Sequence, residues 1–64
     1  MAGLAAVRKE KGFTVTDVAK RLSVSRQTVT AWEHGRVKPS VINALKLASL
    51  FGVTVEELLE KESV

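Results

Sequence analysis

Three residues, Ser23-Val24-Ser25, separate two stretches that each carry the marks of a helix. In the first, Val15, Val18, Ala19 and Leu22 recur at i, i+3, i+4 and i+7, an amphipathic stripe. Thr14 stands where an N-cap belongs, and Asp17 in the first turn suits the positive end of the helix dipole. The second stretch opens at Ser25 as its N-cap, runs to about His34 and stops at Gly35. A connection this short forces two helices to cross at a large angle, and small Ala19 allows close approach at the corner.

The rest of the chain is punctuated in the same way. Leu4, Val7 and Lys11 lie at one-turn spacing in a segment from Leu4 to Lys11 that Gly12 closes. After the loop Lys38-Pro39-Ser40, which ends in another cap, a fourth helix is expected over Val41 to Phe51, with Val41, Ala44, Leu45, Ala48 and Phe51 inward and Gly52 as its stop. Thr54-Val55-Glu56-Glu57 reads as a capping box for a short fifth helix carrying Leu58 and Leu59. The last three residues are expected to fray. The fold expected is all-α: one compact five-helix domain over residues 1–64, its helix-turn-helix at about 14–35, without repeats or linkers.

Composition narrows the functional classes. At 64 residues the chain buries only roughly 60% of its unfolded surface on folding, and without cysteine it has no disulfide or thiolate metal site to supplement its core. No apolar run approaches the length of a membrane span or a secretory signal, so no membrane partner is expected. A reducing cytoplasm fits the missing cysteine. Residues 1–38 carry eight Lys and Arg against Glu10, Asp17 and Glu33, a net +5, while residues 39–64 carry Lys46 and Lys61 against four Glu, a net −2. Such asymmetry suits a polyanion on one side of the molecule.

The second helix of the close pair divides into faces. At about 100° per residue, Val29 and Trp32 define the inward side. Gln27, Thr30, Ala31 and His34 lie roughly opposite, and Arg26 sits at the exposed first turn. Gln suits a bidentate contact to adenine and Arg to guanine, while Thr30 and Ala31 suit a thymine methyl. No acid interrupts this face. The single His34 has no companions for a metal site, and Glu56, Glu57, Glu60 and Glu62 read as a solvated helix surface rather than catalytic acids. With no nucleophile–base constellation and no phosphate-cradling glycine loop, no enzyme activity, cofactor or metal is expected.

Taken together, "FTVTDVAKRLSVSRQTVTAWEHGRVKPS" and "ALKLASLFGVTVEELL" resemble the lambda-repressor-like helix-turn-helix family, the Xre or Cro/C1 type, from about Leu4 to Leu59. The resemblance implies a prokaryotic or phage regulator of transcription, acting in the cytoplasm at the nucleoid as a repressor on double-stranded DNA. It implies that Arg26, Gln27, Thr30 and Ala31 face base edges, that Ser25 and Thr28 position phosphate, and that Arg36 and Lys38 hold the backbone. It also implies a structural Arg8–Glu33 pair. Members dimerise through the fourth and fifth helices, which points to Ile42, Leu50, Val53 and Leu59 as a homodimer interface and to a palindromic operator. Two positions depart from the pattern. Val15 replaces the usual polar phosphate contact, leaving that role to the Thr14 hydroxyl or to backbone N–H groups. Ser23 stands where glycine is usual in the turn. An alternative assignment is an antitoxin or adaptor, for which a protein partner is the main target.

Overall fold

A computed structural model describes the backbone of residues 2–60 and the side chains of residues 3–58. The expected fraying of the last three residues lies outside the described residues. Five helices follow one another: α1 (Ala2–Glu10), α2 (Val15–Leu22), α3 (Arg26–Glu33), α4 (Val41–Phe51) and α5 (Val55–Glu60). Among the described residues there is no strand.

Local chemistry sets the helix starts. The Oγ atoms of Thr14, Ser25 and Ser40 accept the backbone N–H groups of Asp17, Thr28 and Asn43 at 3.0–3.1 Å. Thr54 does the same for Glu57 at 3.1 Å, and the Glu57 carboxylate reaches back to the Thr54 N–H, so the expected box is present. Each such cap satisfies a donor that the first helical turn leaves open.

The helix ends share one solution. In α1, α2, α3 and α4 an N–H two or three residues beyond the helix donates back to a carbonyl five residues earlier: Phe13 to Arg8, Val24 to Ala19, Arg36 to Ala31 and Val53 to Ala48, each at 3.0 Å. This closure needs a left-handed residue just before that donor. Glycine fills the position three times, but in the turn between α2 and α3 it is Ser23, at φ 57° and ψ 44°. A side chain held there costs about 1–2 kcal/mol.

Among the described residues, twelve apolar side chains from all five helices form one core. It gathers Leu4 and Val7 of α1, Val18, Ala19 and Leu22 of α2, Val29 and Trp32 of α3, Ala44, Leu47, Ala48 and Phe51 of α4, and Leu58 of α5. Phe13, in the α1–α2 loop, packs edge-on against Phe51 with ring centroids 5.5 Å apart. α1 lies against α3 and α5, while α2 lies against α3 and α4.

The expected inward stripe of α4 is corrected by the structure. Val41 is 77% and Leu45 57% exposed, while Leu47, absent from the expected stripe, is fully buried with Ala44, Ala48 and Phe51. Lys46 and Ser49 do lie on the exposed side and Asn43 is half-buried, but Val41, Ile42 and Leu45 share that side with them. The outer arc is itself largely apolar, so the contrast on which periodicity depends is missing.

Candidate nucleic-acid interface

α3 is fixed from behind. Val29 and Trp32 are buried, and Arg8 reaches across from α1 to hold the C-terminal end of the helix. Its Nε donates to Glu33 Oε2 at 2.6 Å and its Nη1 donates to the Phe13 carbonyl at 2.8 Å. Both charged side chains are about nine-tenths buried. One guanidinium therefore ties α1, the α1–α2 loop and α3 together, and the expected pair is present as a structural clamp. Glu33 is thereby neutralised at the back of the helix rather than displayed on its front.

The front of α3 is open. Arg26 and Gln27 are exposed, and Thr30 and Ala31 are half-buried on the same side. A shallow depression of about 660 Å³ is lined by Arg26, Gln27, Thr30 and Arg36 together with Val15 and Thr16. Arg36 arrives there because the left-handed Gly35 closes α3 and turns the chain back beside it. No carboxylate lines the depression. Two cations, an amide and two hydroxyls over an apolar floor suit a polyanion with readable edges. Ala31 and Lys38 do not line it; Lys38 is exposed in the loop beyond. Thr16 went unnoticed in the sequence. Its signal was only its place beside the anomalous Val15, and it takes the packing of α2 on α3 to bring it next to Gln27.

Two expected phosphate donors are partly committed within the chain. The hydroxyls of Ser25 and Thr28 lie 2.9 Å apart and share a hydrogen bond. Each has one proton, so the pair keeps a single proton for an outside acceptor. Thr14 has its N–H on Asp17 Oδ2 at 2.9 Å and its Oγ1 under the Asp17 N–H at 3.0 Å. The Thr14 backbone N–H foremost, then the Thr14 side chain, reinforced by Arg21 and Lys20, hold the Asp17 carboxyl below the usual carboxylate range. Asp17 is thus ionised at neutral pH, engaged at the cap and outside the depression.

A different surface runs from the α3–α4 loop onto α4. Val37, Val41, Ile42 and Leu45 are each more than half exposed. Leu50 and Val53, by contrast, are partly buried against the core. The side chain of Leu59 lies outside the described residues. A groove of about 280 Å³ between α2 and α4 is lined by Arg21, Leu22, Lys46, Ser49 and Leu50. Among the described residues no helix is long and apolar enough to cross a membrane.

An all-helical domain whose second and third helices cross over a three-residue turn, with the third helix anchored behind and polar in front, is a helix-turn-helix domain. A helix-turn-helix family model matches residues 4–58, and the chain belongs to that family, of the lambda-repressor-like Xre or Cro/C1 type. An uncharacterized HTH-type transcriptional regulator of Methanocaldococcus jannaschii is 49% identical over 46 residues, covering 72% of this chain and 70% of that protein. One from Methanothermobacter thermautotrophicus is 47% identical over 45 residues, covering 70% of this chain but 65% of its own length. Among solved structures, the N-terminal DNA binding domain of SinR from Bacillus subtilis superposes with a TM-score of 0.77 at 27% identity, over 92% of this chain and 90% of that one.

Proposed function

We propose that the chain is a sequence-specific reader of duplex DNA that regulates transcription as a repressor, with α3 lying in the major groove. The observation that carries this reading is the acid-free depression in which Arg26, Gln27, Thr30 and Arg36 converge in front of a helix clamped from behind. Membership of the family, relatives described as transcriptional regulators and a structural neighbour described as a DNA binding domain support it. Arg26, Gln27, Thr30 and Ala31 read base edges. Arg36, Lys38 and the shared proton of Ser25 and Thr28 hold phosphates. Repression follows from occupancy, since a helix seated in the groove excludes other proteins from that site. The protein works in the cytoplasm at the nucleoid and without catalysis.

Selection from a randomised duplex pool tests the reading. Gln27→Ala relaxes preference at one or two base pairs, and Lys38→Ala weakens all sequences alike while lowering the salt slope by about one. If both variants bind and discriminate like the parent, α3 is not the reading helix.

The chain binds a palindromic operator as a homodimer. Support comes from the α4 face, where Val41, Ile42 and Leu45 are each more than half exposed, apolar surface of the kind that marks interfaces. The occupant proposed is a second copy: Arg21 and Lys46 line the neighbouring groove and α5 opens with exposed Glu56 and Glu57, so one chain carries groups of both signs for a self-complementary contact. Ile42→Glu and Leu45→Glu, at exposed positions, yield monomers in sedimentation equilibrium under conditions where the parent is dimeric. An unchanged dimer moves the interface elsewhere. A heteromeric partner captured on this face, with no retardation of duplex DNA at low salt, establishes the antitoxin or adaptor role instead.

A further inference from the structure

Val15 leaves α2 without the polar side chain that its family places at the start of this helix, and two hydroxyls flank it. Thr14 holds the cap, its N–H donating to Asp17 and its Oγ1 accepting the Asp17 N–H, and it does not line the depression. Thr16 does line it, beside Arg26, Gln27, Thr30 and Arg36, and its hydroxyl is not committed to the cap. The one carboxylate of α2, Asp17, is drawn back onto Thr14 and does not oppose an anion there.

Resting on the duplex-DNA reading above, we infer that the Thr16 hydroxyl is the phosphate donor of α2, one position later than the family pattern, and that Val15 forms the apolar wall beside it against the sugar. In a helix-turn-helix complex the first helix of the pair crosses the backbone while the second enters the groove. A short side chain at the start of α2, at the rim of the depression, meets phosphate rather than a base edge. The hydroxyl is neutral, so its hydrogen bond adds affinity without releasing a counterion. Its signature therefore differs from both other classes of contact. It changes neither base preference, as Gln27 does, nor the salt slope, as Lys38 does.

The test uses the full chain with the duplex selected above and a scrambled duplex, measured by fluorescence anisotropy at several salt concentrations. Thr16→Val keeps the branched shape and deletes the donor. It weakens binding to both duplexes by the same factor, about tenfold, with the salt slope unchanged, as expected for a lost hydrogen bond to a charged group. Thr16→Ser restores the hydroxyl and recovers affinity to within about threefold of the parent. Circular dichroism confirms that both variants are folded. Binding by Thr16→Val within twofold of the parent, a changed base preference, or a Thr16→Ser variant as weak as Thr16→Val overturns the assignment. Gln27→Ala in the same series separates the two levels. If it still relaxes base preference, only the Thr16 assignment falls; if it too is silent, the duplex reading falls with it.

Discussion

The front of the α2–α3 pair and the outer face of α4 are built on opposite terms. On the first, the helix-turn-helix carboxylates are each engaged with a partner within the chain, Asp17 at a cap and Glu33 under Arg8, and what remains outward is cationic or amide. On the second, an eleven-residue helix carries a single charge, Lys46, and turns Val41, Ile42 and Leu45 to solvent. One face is prepared for a charged, hydrated polymer and the other for apolar contact. The difference shows that a cationic polar front and an apolar outer face both fit on one small core, because α4 turns apolar side chains inward and outward at once.

The sharpest way to break that contrast lies within α4 itself. Leu47→Ala lowers stability by about 2–5 kcal/mol, because it opens a cavity at a fully buried position. Leu45→Ala, two residues away, stays within about 0.5 kcal/mol of the parent at concentrations where the chain is monomeric. Chemical denaturation of both variants decides it, and equal costs remove the claim that α4 has an outer apolar face.

On the other region, Arg8→Met leaves Glu33 nearly buried without its partner and costs about 3 kcal/mol. Because Arg8 lies behind α3 and not on the depression, the folded fraction of that variant keeps the parent's base preference. A changed preference shows that the clamp also sets the pose of the reading helix.

Smaller effects probe the turn and the cap. Ser23→Gly relieves a left-handed serine but makes the unfolded chain more flexible, so the net gain is about 0.5 kcal/mol, read from the thermal midpoint. A loss shows that the Ser23 side chain contributes more than its backbone costs. The smallest effect is that of Asp17. Its carboxyl titrates below the ordinary value in the folded chain, so its contribution to stability is complete above about 3.8 and is lost as pH falls through the lowered value. The difference in melting temperature between the parent and Asp17→Asn is therefore largest near neutral pH and shrinks in acid. A constant difference places the stabilisation in the neutral part of the cap.

Legibility in the sequence follows the same division. The caps at Thr14, Ser25, Ser40 and Thr54, the left-handed stops and the inward pair Val29 and Trp32 were readable because each depends on neighbours within one or two turns. The Arg8–Glu33 clamp was available only through the family resemblance, since 25 residues separate its partners. Two features were not readable. Leu47 was missed because Val41, Ile42 and Leu45 stand beside Lys46 and Ser49 on the outer face, which blurs the contrast that marks the inner one. Thr16 was missed because its relation to Gln27 and Arg36 exists only once α2 is packed on α3 and the chain has turned at Gly35. The turn at Ser23 was visible as a departure from glycine, and the structure supplies its meaning as a left-handed closure shared with three other helices.

The most direct measurement is a titration of the isotopically labelled chain with its selected duplex, followed by amide chemical shifts. The account predicts that the largest changes fall on Thr16, Arg26 to Ala31 and Arg36, with Ile42 and Leu45 unaffected by DNA beyond any change in self-association. The largest changes on the outer face of α4, with the amides of α3 still, contradict it.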